Sequence, residues 1–397
     1  MHAGSMPVLN IGNLQINPPI IQGGMGVRVS RANLASAVAN TGCVGVIASA
    51  GLGDFERFPR EQAVKISQDA LANEIRKARS LSPGIIGVNI MVALSNYDDL
   101  VRTAVAEGVD IIISGAGLPL SLPEYRNGGN TRLVPVVSSA RTFQLICRRW
   151  NNRYNTLPDA VIVEGVRAGG HLGYSHESLV DNTAPLLEQT VAEVIQTARS
   201  FTPAIPVIAA GGIFDGSDIA RFLALGASGV QMATRFVCTD ECDAHINFKQ
   251  AYINARPEDI TIIKSPVGLP GRVINNSFVQ RIKEGETVPV SCKYKCLRTC
   301  DPKKAPYCIA RVLADAAEGR METSFAFAGS NASRCNEIIP VSVLVDRLVE
   351  EYNSAIAPSE IPSSGASRIV QITGSAKTEP PKTERAGTPG TFNRNNV

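Results

Sequence analysis

His171 lies in the segment Ala168-Gly-Gly-His-Leu-Gly173, just after an apolar run that closes on Glu164. Flanking glycines let a backbone approach a ligand closely, and an unperturbed imidazole titrates near ~6.5, so His171 suits proton transfer at neutral pH. It is the candidate catalytic base or substrate-positioning group, against the plainer role of stabilising its own loop. His176, a little further on, is either a second site group or a bystander.

A second constellation suits a phosphate. Ile205-Pro-Val-Ile-Ala-Ala-Gly-Gly-Ile213 is an apolar run ending in Gly211 and Gly212, followed by Asp215, Gly216 and a helical stretch whose N-terminus would favour negative charge. Gly229-Val-Gln-Met-Ala-Thr-Arg-Phe236 brings Gln231, Thr234 and Arg235 to the same rim. Near the start, Pro18-Pro-Ile-Ile-Gln-Gly-Gly-Met-Gly26 is another run ending in glycines, with Gln22 beside them, and Asn89 and the span Ser114 to Gly117 end two more. One such exit alone serves a tight turn, but several together are what a planar ring held by backbone and amide groups requires.

These residues need strands that end on one side. From Asn17 to Phe236 short β-branched runs alternate with helical stretches, the pattern of βα units and a parallel sheet. The runs are Pro19 to Gly23, Cys43 to Ser49, Ile85 to Ile90, Asp110 to Ser114, Leu133 to Ser138, Ala160 to Glu164, Pro206 to Ala210 and Gly229 to Thr234. Eight runs over a span close to the ~250 residues usual for the fold predict a (β/α)8 TIM barrel over residues 6–237, with a doubly wound open sheet as the alternative. Ser30 is expected to cap a helix carrying Leu34, Ala37 and Val38, and Leu187, Val191, Val194, Ile195 and Ala198 share one helical face. Barrel enzymes keep their active sites at the strand C-termini, with phosphate after strands seven and eight, where His171 and the glycine pairs fall.

Beyond Phe236 the βα rhythm stops. Residues 238–330 are expected to form a smaller inserted lid domain over the barrel mouth, and 331–355 to return to the barrel as a helix with Val341, Leu344, Val345 and Leu348 on one face. Residues 356–397, rich in Pro, Ser, Thr, Gly and Lys, are expected to be a disordered tail. Met1 to Ser5, ahead of a second methionine, look like a leftover of expression cloning.

Composition narrows the function classes. With 44% hydrophobic and 19% charged residues and a mean hydropathy of +0.04, the 397-residue chain has the profile of a globular enzyme. A net charge of +3 and a pI near 8.3 lack the footprint of a nucleic-acid binder. No apolar run reaches the ~18 residues of a membrane span, and no secretory leader is evident. The expectation is a cytoplasmic protein acting on a small molecule, without nucleic-acid or membrane partners; a homodimer stays open. Nine cysteines in such a chain are reduced thiols or ligands rather than a disulfide framework.

The segments Ile21-Gln-Gly-Gly-Met-Gly26, Gly87-Val-Asn89, Ala168 to Gly173, Ala209-Ala-Gly-Gly-Ile213, Gly229 to Phe236 and Glu241-Cys-Asp-Ala-His245 carry a resemblance. From Pro7 to Tyr352 the chain resembles the nitronate monooxygenase (2-nitropropane dioxygenase) family, which is similar in turn to the FMN-dependent enoyl-acyl-carrier-protein reductases. The resemblance implies FMN across the barrel mouth. Gly23, Gly24, Met25 and Asn89 would hold the ring, with Glu164, Gly169 and Gly170 nearby; Gly211, Gly212, Gln231 and Thr234 would surround the phosphate. His171 takes the position of the family's catalytic base. Ala233 departs from an expected glycine, and its methyl would narrow the phosphate pocket.

The larger departure is Cys292-x3-Cys296-x3-Cys300-x7-Cys308. Four soft ligands in one segment suffice for a thiolate-bound iron–sulfur cluster or a tetrahedral zinc, and Lys293, Lys295, Arg298, Lys303 and Lys304 would compensate the thiolates. Plain buried or reactive thiols are the third reading, because the spacing matches neither ferredoxin runs nor the paired CxxC of zinc ribbons.

The expected activity is oxidation of alkyl nitronates by FMN with His171 as base. The alternative is reduction of enoyl thioesters or quinones with NAD(P)H as reductant, although no GxGxxG fingerprint is present. A metal or redox sensor using the cysteines is a reading from another class, and the intact glycine and histidine constellation argues against it.

Overall fold

The computed structural model describes residues 6–53, 60–126, 128–292 and 294–357. The predicted leftover Met1 to Ser5, Lys293 and the predicted tail from residue 358 lie outside the described residues.

Each of the eight predicted runs matches one strand of a parallel barrel, with no strand extending more than one residue beyond its run: Ile20–Gln22, Gly45–Ala48, Ile86–Met91, Ile111–Gly115, Arg132–Val137, Val161–Glu164, Val207–Ala210 and Gly229–Met232. Val230 pairs with Ile20 and Ile21 bridges Val44, so the first strand meets both the eighth and the second and the sheet closes. The open-sheet alternative is thereby excluded. Alternation along the strands explains their nearly continuous apolar character. Ile21, Val46, Ile113, Val134, Ile162 and Ile208 fill the interior, while Ile20, Ile47, Val88, Ile112 and Val163 meet the surrounding helices.

At the seam, Gln22 is fully buried and its Oε1 accepts the Val46 N–H at 2.9 Å, replacing a ladder bond between the first two strands. Gln22 is thus a closure residue and not the ring-holding group its strand-end position suggested. The bottom of the barrel is plugged by an antiparallel hairpin, Leu9–Ile11 with Leu14–Ile16, whose Leu9, Ile11 and Ile16 join the interior cluster.

The helix Ala32–Ala39 follows the first strand, but Ser30 does not cap it. The Ser30 hydroxyl instead accepts from the Met25 N–H, and the Asp243 carboxylate takes the helix N-terminal N–H groups of Arg31 (2.8 Å) and Leu34 (3.2 Å). A carboxylate satisfies those orphan donors better than a neutral hydroxyl does. In the helix Leu187–Ala198 all the predicted face residues are buried.

Residues 238–330 contain the helices Ile246–Ile253, Ser277–Lys283 and Ile309–Ala317 and an antiparallel hairpin, Ile260–Lys264 with Pro270–Ile274. The sequence reading anticipated no strands here. Gly170–His171 adds to that hairpin as a third strand, with His171 opposite Gly271. The C-terminal helix Val341–Ile356 buries Val341, Leu344, Val345, Leu348 and Tyr352 and lies on the helix Gly216–Ala224. Gly216 permits this contact, since a Cβ there would stand 2.1 Å from the Tyr352 nitrogen.

Candidate active site

The strand C-termini open into a cavity of about 1630 Å³. Gly23, Gly24, Met25, Asn89, Glu164, Gly169, Gly170, His171, Gly211, Gly212, Gln231, Ala233 and Thr234 all line it, so residues spread over more than half the chain meet in one space. The barrel explains this convergence, because parallel strands present all their exits at the same end.

Gly211 and Gly212 adopt φ of +95° and +87°, and a Cβ on Gly212 would approach the Arg167 Cβ to 2.8 Å. These backbones leave a bare cradle. Ala233 faces the other wall, with its Cβ 3.3 Å from where a Cβ of Gly23 would be, so the departure from glycine is accommodated by a neighbouring glycine. Gln231 Oε1 is buried without a hydrogen-bond partner, a group that a ligand amide or hydroxyl would satisfy. Cradle, amide and polar rim fit a phosphate-bearing planar cofactor.

The helix after Gly212 does not serve the phosphate as expected. Its N-terminus is taken by carboxylates: Asp215 accepts the Asp218 N–H and Glu351 of the C-terminal helix accepts the Gly216 N–H, both at 2.9 Å. Arg235 also turns away and stacks over Phe214 at 4.6 Å. The cation that sequence reasoning missed is Arg167, which lines the cavity beside Gly212. Arg272 holds that loop by donating to the carbonyls of Val166 and Ala168, the latter at 2.7 Å. The signal was available, since Arg167 stands between Glu164 and the glycines.

His171 Nε2 lies 2.8 Å from Ser265 Oγ, and the ring packs edge-on to Phe327 with centroids 4.8 Å apart. Desolvation pushes the imidazole down to about 4, so it is neutral at pH 7. Glu164 shifts the other way: burial raises its carboxyl to about 7. His176 begins a short helix and is not among the residues lining this cavity; it lines a neighbouring pocket that shares Phe278 with it. Ser114 is fully buried, hydrogen-bonded to the Ile90 carbonyl and the Tyr97 hydroxyl, and serves the fold.

Cys292, Cys296 and Cys308 line the outer cavity, whereas Cys300 does not. Among the described residues no group of three or more His, Cys, Asp or Glu side chains is arranged to hold a metal ion. The iron–sulfur or zinc expectation for Cys292, Cys296, Cys300 and Cys308 is therefore unsupported. Cys292 is exposed and its Sγ donates to the Tyr294 carbonyl at 3.3 Å, while Cys296 and Cys300 pack against the apolar core. Burial pushes the Cys296 thiol up to about 12, with Cys308, Cys292 and Cys300 nearby adding to the shift.

No helix among the described residues is long and apolar enough to cross a membrane. The family profile described as nitronate monooxygenase matches residues 9–351. A carboxyl-CoA dehydrogenase of Mycobacterium tuberculosis acting on an octahydroindene skeleton is 30% identical over 68% of this chain, and the match spans 66% of the relative's own length. A probable nitronate monooxygenase of Staphylococcus haemolyticus is 27% identical over 87% of this chain and 96% of its own. Among solved structures, FabK from Thermotoga maritima superposes with a TM-score of 0.67 at 29% identity, covering 85% of this chain and 93% of its own. Nitroalkane oxidase from Streptomyces ansochromogenes shares the fold at 23% identity, with the same TM-score over 85% of this chain and 96% of its own. With its barrel closed and the profile matched over nearly all of the described residues, the chain belongs to the nitronate monooxygenase family of oxidoreductase enzymes.

Proposed function

We propose that this protein is an FMN-dependent oxidoreductase that oxidises alkyl nitronates, with His171 as its base. The observation that carries the reading is that His171 and the glycine-walled cradle share one cavity at the C-terminal mouth of the barrel. Gly211, Gly212, Thr234 and Arg167 would hold the phosphate, and Gly23, Gly24, Met25 and Asn89 the ring. Bound FMN would accept electrons from the nitronate and pass them to oxygen.

The residues themselves do proton and charge work. Where the substrate arrives as the neutral nitroalkane, His171 takes the proton from the carbon beside the nitro group, leaving the nitronate that is oxidised, and the imidazolium so formed faces the anion it has made. Phe327 excludes water from one side of the ring. Residues 238–330 act as the substrate lid, and Cys292 and Cys308 lie on its cavity wall.

A second reading, NAD(P)H-dependent reduction of an enoyl thioester, has one observation in its favour. The cavity exceeds the roughly 300–1,000 Å³ of ordinary ligand pockets, room that a small nitronate does not need. The Mycobacterium tuberculosis relative, named for a carboxyl-CoA substrate, supports a bulky thioester in that room, although its name is that of a dehydrogenase and not of a reductase. Anaerobic absorbance spectra of the FMN-loaded protein separate the two: bleaching by a nitronate but not by NADH supports the first, and bleaching by NADH alone with reoxidation by an enoyl thioester replaces it with the second.

A further inference from the structure

Ser265 lies outside every segment that carries the family resemblance, yet it is the hydrogen-bond partner of His171. It follows the hairpin strand Ile260–Lys264 and is only 6% exposed. Its N–H donates to the Leu269 carbonyl at 3.1 Å and its carbonyl accepts the Gly268 N–H at 3.0 Å, so the hydroxyl is carried on a closed turn. Thr299 Oγ1 donates to the Val267 carbonyl at 3.1 Å and ties that turn to the cysteine-rich segment. The serine is thus fixed from two sides before it meets the imidazole.

A neutral imidazole has one N–H and one lone pair. If the Ser265 hydroxyl donated to Nε2, the proton would sit on Nδ1 and the cavity would face a donor; if it accepts from Nε2–H, Nδ1 offers its lone pair. Among the described residues no other hydrogen bond engages the His171 ring, so Ser265 decides the matter. Only the second arrangement serves a base both before and after it acts. Once Nδ1 is protonated the ring carries N–H on both nitrogens, and Ser265 Oγ remains the acceptor for Nε2–H beside the apolar Phe327.

We propose that Ser265 is the positioning residue of His171: its hydroxyl accepts Nε2–H, fixes that tautomer and leaves Nδ1 as the proton-accepting nitrogen in the cavity. This rests on the reading of His171 as base. Replacing the hydroxyl removes one neutral hydrogen bond that matters most to the charged ring, so Ser265→Ala should lower kcat by about 3- to 10-fold with KM nearly unchanged.

Nitrogen-15 NMR of histidine-labelled, FMN-loaded protein tests the tautomer directly, because the chain has only 4 histidines. His171→Ala identifies the His171 signals. The expected result is a single Nε2–H tautomer at neutral pH in the parent protein and in Ser265→Thr, and a mixed or reversed one in Ser265→Ala. An Nδ1–H tautomer in the parent protein overturns the proposal without need of any variant, as do unchanged His171 signals in Ser265→Ala. Native turnover by His171→Ala, with the Ser265 dependence of the tautomer intact, would instead remove the base reading alone.

Discussion

His171 stands opposite Gly271 in an antiparallel ladder, so the imidazole that faces the barrel mouth is carried on a strand added to the hairpin Ile260–Lys264 with Pro270–Ile274. Barrel loop and hairpin therefore hold the imidazole jointly. A Cβ on Gly271 would come within 2.7 Å of Phe327 Cε1, the ring that packs on His171. Gly271→Val should displace Phe327 and with it the imidazole, lowering turnover by about tenfold or more while FMN still binds. Steady-state rates beside flavin fluorescence titration check both halves of the expectation.

Arg167, which lines the cavity beside Gly212, is the cation of the proposed phosphate cradle. Arg167→Ala should weaken FMN binding by about tenfold, the loss of one charge-assisted contact, and leave riboflavin binding almost unchanged because riboflavin lacks the phosphate. Parallel titrations with the two ligands measure the difference, and an equal loss for both would place Arg167 outside the cradle.

Glu164 links the cavity to stability. Its folded carboxyl is raised to about 7, above the ordinary value of 4.5, so between those values the folded protein binds more protons than the unfolded chain. The FMN-free protein thus loses stability as pH rises from 4.5 through 7. Glu164→Gln removes that loss and should be more stable than the parent at pH 8, by on the order of 2 kcal/mol, with little difference near pH 5. Urea unfolding of the FMN-free proteins at both pH values reads the sign.

Asp243 caps the helix Ala32–Ala39 from a segment far along the chain. Asp243→Ala should cost about 1 kcal/mol, visible as a lower urea midpoint with an unchanged slope.

The barrel was legible because each of its strands is a β-branched run bounded by glycines or polar residues, and because parallel strands buried on both faces read as unbroken apolar stretches. The cavity residues followed from that register, since the position of Gly211 just past a strand, or of Asn89 in the C-terminal half of one, sets which mouth it faces. Contacts between distant segments were not legible. Ser30 had the right type and position for a cap, but Asp243 is a stronger acceptor brought there by the fold. The helix after Gly212 looked open to a phosphate until the C-terminal helix supplied Glu351. The plug hairpin was signalled by Leu9-Asn-Ile-Gly-Asn-Leu-Gln-Ile16, an alternating pattern around Gly12-Asn13, but its short strands lie outside the βα rhythm. The hairpin bearing Ser265 hid behind Pro266 and Pro270, which break the pattern at its turn. Regular cysteine spacing suggested ligands, and the four thiols do lie near enough to influence one another, yet among the described residues they are not arranged to hold a metal ion.

The central claim is that His171 moves the proton in a flavin-dependent oxidation. Parent protein and His171→Ala, loaded with equal FMN, should be mixed without oxygen with a nitroalkane supplied in its neutral form, and the loss of flavin absorbance followed in time. The account predicts bleaching in the parent protein and a rate lower by about 100-fold or more in the variant, the loss expected when a general base is removed. Equal rates in the two proteins, with FMN occupancy confirmed, would contradict it.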